Sequence, residues 1–256
     1  MSKHEQWLSV AVELAYAAGA ELRKRWTTAH TITSKGFRDI VTEADLAAEA
    51  IILRGLRKAF PQHAITSEEA GIDARHHRVR WFIDPLDGTT NFSRNNPNFS
   101  VSIAALADEK PVVGVIYDPL RDHCFTARRG GGAKINDEPI KTSGRTEIEA
   151  MVFATDWPRD DERRQQHAAL ITRMLMAGRT LRCLGSAALN MAYVATGWFD
   201  LYVAPHLNTW DQAAAVLLVQ EAGGAAQTLS GNPWTAESLD PLLAATPSLI
   251  TNLRAM

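Results

Sequence analysis

Trp81-Phe82-Ile83-Asp84-Pro85-Leu86-Asp87-Gly88-Thr89-Thr90-Asn91-Phe92 is the stretch on which the reading of this chain turns. An apolar, strand-like run stops abruptly in two carboxylates three positions apart, with a proline between them and a glycine directly after. A turn of that make-up can aim both carboxylates into one space. Like charges a few ångströms apart repel and raise a pKa unless a cation sits between them, and a hard divalent ion is the natural partner. Magnesium takes oxygen ligands, keeps waters and is commonly shared with a substrate phosphate. Gly88-Thr89-Thr90 can leave backbone N–H groups free for phosphate oxygens where a helical turn begins. Turn composition alone leaves a second reading open, because Asp, Pro and Gly each favour ordinary surface turns.

Other acidic segments bear on that choice. Ser67-Glu68-Glu69 follows the short strand candidate Ala64-Ile65-Thr66, so a second carboxylate pair sits at a strand end. Taken singly, it reads equally as a solvated loop. Trp210-Asp211 opens an apolar helix, Ala213-Ala214-Ala215-Val216-Leu217-Leu218-Val219, and an acid there can simply complement the helix dipole. In Arg38-Asp39-Ile40-Val41-Thr42-Glu43-Ala44-Asp45, Thr42 and Asp45 resemble a capping box in which Asp replaces the usual Glu or Gln. The shorter aspartate can cap the helix, or project away from it and accept a proton.

Around these motifs the periodicity sets the frame. Leu8, Val12, Ala15, Gly19, Leu22 and Trp26 advance in steps of four and three, one face of an amphipathic helix. A second helix is expected from Thr42 to Phe60, stopped by Pro61. Strand-like runs at 80–83, 100–106, 112–117 and 123–127 are separated by turns at Asp108-Glu109-Lys110, Asp118-Pro119 and Gly130-Gly131-Gly132, an antiparallel meander. Beyond Ser143-Gly144, strands at 151–155, 179–184 and 199–203 alternate with helices at 161–176, 186–196 and 211–222. Such alternation implies a layered α/β second half. The expected organisation is an N-terminal α+β part, 1–144, and a C-terminal α/β part, 145–256, packed as one body.

Composition narrows the function classes. With 256 residues, 46% hydrophobic, 22% charged and a formal net charge of -2, the chain is of ordinary globular make-up and long enough for a sizeable core. A nucleic-acid surface needs a clustered basic face, and Arg128-Arg129 is too small for one. Cys124 and Cys183 lie far apart with no zinc-like spacing, so both read as reduced core thiols. No apolar run approaches the ~18 residues of a membrane span, and no secretory leader pattern is evident. No membrane association and a cytoplasmic location are expected.

Together these segments resemble the inositol monophosphatase family over nearly the whole chain. Asp84-Pro85-Leu86-Asp87-Gly88-Thr89-Thr90-Asn91-Phe92 resembles its central signature and Trp210-Asp211-Gln212-Ala213-Ala214 its C-terminal one. Ser67-Glu68-Glu69 is similar to its Gly-Glu-Glu, and Asp39–Asp45 to the segment carrying a water-activating aspartate. Ala187-Ala188-Leu189-Asn190-Met191 and Glu221-Ala222-Gly223-Gly224 also have family counterparts. The resemblance implies a layered αβαβα sandwich of the sugar-phosphatase type, lithium sensitivity and a homodimer. It assigns Glu68, Asp84 and the Leu86 carbonyl to one magnesium, and Asp84, Asp87 and Asp211 to a second. A third, weaker ion would use Glu68. Asp45, Thr89 and Glu68 then form the catalytic set, and Gly88 and Thr89 hold the phosphate.

On the substrate side, Gly185 and Ser186 resemble a sugar-facing Gly-Thr pair, while Ala204 stands where the family has a substrate-facing glutamate. His206, Asn208 and Arg94 either compensate or are plain loop residues. The expected activity is magnesium-dependent hydrolysis of a small phosphate ester, inositol 1-phosphate first. Histidinol-phosphatase, fructose bisphosphatase and nucleotide 3'-phosphatase are alternatives on the same scaffold. Some bacterial relatives of such chains act by binding the transcription machinery, which keeps a non-catalytic role in view.

Overall fold

In a computed structural model that describes residues 2–28, 31–36, 39–75, 77–204, 206–238 and 242–255, with Asp39 described only in its backbone, the chain forms the following elements. The first part contains α1 (Lys3–Arg25), β1 (Ile32–Gly36), β2 (Asp39–Thr42), α2 (Glu43–Ala59), β3 (Ala64–Ser67), β4 (Gly71–Ile72) and β5 (Val79–Asp87). It continues with α3 (Thr89–Ser93), β6 (Ser100–Ala107), β7 (Lys110–Asp118), β8 (His123–Arg128), β9 (Ala133–Ile135) and β10 (Glu138–Pro139). Then come β11 (Val152–Thr155), α4 (Asp161–Ala177), β12 (Thr180–Arg182), α5 (Ala187–Ala195), β13 (Leu201–Ala204), α6 (Thr209–Glu221), β14 (Ala225–Thr228), β15 (Leu242–Ala245) and α7 (Pro247–Arg254).

Two sheets and three helical layers alternate. An eight-stranded sheet runs in the order β10-β9-β8-β7-β6-β5-β3-β4, antiparallel except where β3 lies parallel to β5. A mixed five-stranded sheet has the order β12-β11-β13-β15-β14. Strand alternation sorts the side chains between layers. Trp81, Ile83, Val101, Ile103, Val113, Val115 and Tyr117 face α1 and α2, whereas Phe82, Ala104, Leu106 and Ile116 face α5 and α6. On the second sheet, Tyr202, Ala204 and Ala244 point inward to α5 and α6, while Phe153, Leu201, Val203 and Leu243 meet Ile171 and Met174 of α4 and Leu249 of α7. The architecture is therefore the expected αβαβα sandwich.

The middle helices are apolar all round because both faces are covered. Residues 213–219 of α6 are completely buried. Gly114 lets α6 rest directly on β7, since a Cβ there would stand 2.7 Å from the Ala214 carbonyl oxygen.

One expectation needs correction. Cys183 is exposed rather than a core thiol, because it follows β12, an edge strand; Cys124 is buried as expected. The chain also forms an exposed hairpin, β1 with β2, as a separate two-stranded sheet. Among the described residues no helix is long and apolar enough to cross a membrane.

Candidate active site

The motif that opened the sequence reading lies where β5 ends. A register shift between Asp84 and Asp87 breaks the pairing with β6, so the Pro85-Leu86 step bulges and turns both carboxylates to the same end of the sheet. The Leu86 amide donates to Asp84 Oδ1 at 3.0 Å. Gly88 then takes φ 100° to start α3; a Cβ there would meet the Asn98 carbonyl at 2.8 Å. Glycine is required on both counts.

Helix starts deliver three of the acids. Asp45 is at the third position of α2, where its Oδ2 accepts from the Thr42 amide (2.8 Å) and hydroxyl (2.6 Å). Its Oδ1 lies 3.1 Å from Thr89 Oγ1, which is also 3.1 Å from the Leu86 carbonyl. One oxygen therefore caps the helix, and the other faces the Thr89 hydroxyl. Asp211 is built alike: its Oδ2 accepts from the Asn208 amide at 2.8 Å at the start of α6. Asp87 instead receives the start of α5, taking hydrogen bonds from Ser186 Oγ (2.5 Å), the Ala188 amide (2.8 Å) and the Ala187 amide (3.3 Å).

Asp84, Asp87, Asp211 and Glu68 line one cleft of about 500 Å3, together with Leu86, Gly88, Thr89 and Gly185. Burial raises the Asp84 carboxyl far above its usual range, reinforced by the charges of Glu68, Asp87 and Asp211. Asp211 is raised for the same reasons, with Glu68 and Asp87 as the charged neighbours. Burial pushes Asp87 up to about 7 against the opposing hydrogen bonds of Ser186 and Ala188. Asp45 is also raised by burial, partly offset by Thr42 and Thr89. A cation in the cleft would keep such a group ionised.

The donor set suits a hard divalent ion, since carboxylates and a carbonyl are magnesium's preferred ligands. Among the described residues, however, no three acidic, His or Cys side chains converge closely enough to make a finished cage. Local contacts explain this. Lys35 Nζ lies 3.2 Å from Glu68 Oε1 and 2.5 Å from Glu69 Oε1, while Asp87 is drawn to α5.

Ala204 does not face the cleft. It is fully buried at the end of β13, inside the middle layer beside Tyr202. Ser186 stays beneath the wall and reaches it only through Asp87. The side chain that does occupy the substrate-side wall is Asp156, which sequence reading missed. It accepts from the Gly185 amide (2.9 Å), Cys183 Sγ (3.8 Å), Asn190 Nδ2 (2.7 Å) and Tyr202 Oη (2.7 Å). Also missed was Glu49, buried under the Glu68 loop, which accepts from the Ser67 hydroxyl and from the amides of Glu69 (3.2 Å) and Ala70 (2.9 Å). A glutamate within an amphipathic helix gave no signal of its own, although its position one turn after Asp45 puts it on the same side. Asn91 ties the two halves of the wall, donating to the carbonyls of Asn98 (2.6 Å) and Leu184 (2.7 Å).

This αβαβα sandwich, with an acid-lined cleft at the strand ends, is the architecture of a phosphatase superfamily. The chain belongs to the inositol monophosphatase family, whose profile matches residues 3–255. Nus factor SuhB of Escherichia coli strain K12 is 39% identical over 228 residues, covering 88% of this chain and 85% of that protein. The crystal structure of extragenic suppressor protein suhB from Bartonella henselae superposes with a TM-score of 0.92 at 34% identity, over 98% of this chain and 97% of that one. The inositol monophosphatase of Anabaena sp. PCC 7120 gives 0.88 at 36% identity, over 99% and 96%.

Proposed function

We propose that this protein is a magnesium-dependent phosphomonoesterase that hydrolyses phosphate esters of small polyols or sugars, inositol 1-phosphate among them. The observation that carries the reading is the shared cleft: four acids at its floor, with half-buried Thr89, bonded to the buried Asp45, at one side. Magnesium, held by Glu68, Asp84, the Leu86 carbonyl, Asp87 and Asp211, supplies charge neutralisation and a water of lowered pKa when bound.

The chain's own residues position and deprotonate. Thr89 Oγ1 accepts a proton from the attacking water while passing its own to Asp45 Oδ1, 3.1 Å away. A raised carboxyl pKa suits Asp45 to that work, because a general base is most effective when its pKa approaches the working pH. Thr42 fixes the carboxylate through its other oxygen. Gly88 and Thr89 amides grip the phosphate, so the ester oxygen leaves on the side of Gly185 and Asp156 and takes its proton from water. Positioning and charge stabilisation provide most of the acceleration, as in phosphoryl transfer generally. Ala204 supplies no substrate contact, so inositol phosphates are turned over without strong selectivity. Histidinol-phosphatase and fructose-1,6-bisphosphatase are the enzymatic alternatives.

Phosphate release from inositol 1-phosphate, histidinol phosphate and fructose 1,6-bisphosphate tests the reading. Turnover confined to histidinol phosphate would overturn it, as would wild-type magnesium dependence in Asp87→Asn.

A second reading is favoured by the naming of relatives near 40% identity as Nus factors: the chain acts as a regulator through the transcription machinery. Complementing a deletion with Asp84→Asn separates the two. Rescue by this variant supports a scaffold role; failure, with the protein folded, supports turnover.

A further inference from the structure

The wall above the acid floor carries a cluster of guanidinium groups around the Asp160 carboxylate. Arg159, Arg163 and Arg164 line the same cleft as Asp84 and Asp211, beside Trp157 and His206. They lie at the start of α4, whose N-cap is Asp160. Arg159 is near enough to the floor for its charge to act on the Asp211 carboxyl. Arg163 and Arg164 are about one helical turn beyond it. Arg163 is exposed and meets Asp160 only at 3.7 Å, a contact of little strength in water. Arg164 spends Nε on the Pro158 carbonyl at 2.8 Å and has no carboxylate partner among the described residues.

Hydrogen-bond supply decides what such a wall prefers. Guanidinium groups only donate. A neutral polyol needs acceptors as well, and the nearby carboxylate of Asp156 already accepts from Gly185, Cys183, Asn190 and Tyr202. Ala204 adds no acceptor. Asp160 and Asn208 also line the cleft and can accept, but the guanidinium groups at the start of α4 outnumber the one carboxylate set among them, so this wall favours an anion. Trp157, 43% exposed in the same wall, offers a flat apolar face to the ring or chain that connects the two charges. The cavity of about 500 Å3 has room for that connecting group.

We propose that Arg163 and Arg164 bind a second anionic group, phosphate or carboxylate, on the leaving-group side, so that the preferred substrate is a phosphate monoester bearing a further negative charge. This rests on the phosphatase reading of the cleft. Bidentate guanidinium contacts are well fitted to either anion.

Matched substrate pairs test it. Adenosine 3',5'-bisphosphate against adenosine 3'-monophosphate and fructose 1,6-bisphosphate against fructose 1-phosphate form the phosphate arm. Glycerate 2-phosphate against glycerol 2-phosphate forms the carboxylate arm. For each pair, the ratio of kcat/KM is measured by phosphate release, and the ratio of Kd by calorimetry with calcium replacing magnesium. In at least one arm the doubly anionic member is expected to be favoured by about tenfold or more, the value of one charge-assisted contact. Arg163→Gln with Arg164→Gln should reduce that ratio about tenfold, while lysine at both positions retains much of it. Circular dichroism checks that each variant is folded. Ratios near one in both arms, or ratios unchanged in the folded glutamine variant, overturn the proposal. If no substrate releases phosphate but the arginine-dependent binding preference persists, the anion site stands and the phosphatase reading falls.

Discussion

The acid floor and the β1–β2 hairpin meet at Glu68 and are built in opposite ways. Asp84 and Asp87 are 2% and 8% exposed, and each is fixed by backbone amides from the turn or from α5. Every residue of β1 is exposed, and the hairpin forms its own two-stranded sheet. A two-stranded ribbon with no apolar face is marginal by itself. Apart from β2, where Ile40 and Val41 are half-buried, what holds it is polar: Lys35 on Glu68 and Glu69, and the Thr31 amide on Glu43 Oε2 at 2.7 Å. The difference teaches that the floor is set by packing, whereas the place of the hairpin depends on carboxylates that an incoming cation also claims.

The strongest way to break this contrast is Asp84→Asn. Turnover should fall by about 10³-fold, the scale of losing a preorganised charge contact at the reacting centre. In chelator, thermal unfolding of the same variant should occur at a higher temperature than wild type, because repulsion from Glu68, Asp87 and Asp211 is relieved. Wild-type turnover would remove the floor from the mechanism. Next in size, Thr89→Ala should lower kcat by about 10²-fold with KM little changed. An equal rise in KM instead would make Thr89 a binding group rather than a proton relay.

A smaller effect concerns pH. Burial pushes the Asp87 carboxyl of the folded protein up to about 7 from its ordinary 3.8, so between those limits the folded state keeps a proton that the unfolded chain has released. Its stabilising contribution is full below the lower value and is lost as pH rises through the upper one. Urea unfolding in chelator should show stability declining across this window by on the order of 1 kcal/mol or more from this group. Asp87→Asn should flatten the decline, and an unchanged slope would contradict the assignment. The least effect belongs to the hairpin. Lys35→Ala should shift stability by no more than about 0.5 kcal/mol, yet lower the magnesium concentration for half-maximal activity by roughly 2–5-fold as a competing charge leaves Glu68. No change in magnesium response would mean that Lys35 and the cation do not compete.

These two regions also differ in how far the sequence exposes them. The floor is legible because its turn needs Pro85, Gly88 and the paired acids together, and long apolar runs before and after give β5 and α6 their periods. β1, Ile32-Thr33-Ser34-Lys35-Gly36, has no buried face and therefore no alternation to read. β14 and β15 were missed for another reason: Ala225–Thr228 and Leu242–Ala245 are four residues each, too short for a period to emerge. Asp156 and Glu49 were invisible because their meaning is tertiary. Asp156 directly follows β11 and gathers groups from α5, β13 and the Cys183-Gly185 loop, a meeting that no local spacing encodes. Ala204 was legible as a residue and misread as a position, since the strand turns its methyl inward.

Asp45 and Asp211 each give one oxygen to the first turn of a helix and are raised in pKa by the surroundings of the cleft. Asparagine at either place keeps an oxygen for the cap while turning an amide where a negative charge stood. Under the proposed mechanism, one base change in a codon would therefore silence the chemistry and leave the helix start intact. Loss of turnover and loss of shape are separate events in such a scaffold, and a lineage can pass through the first without the second.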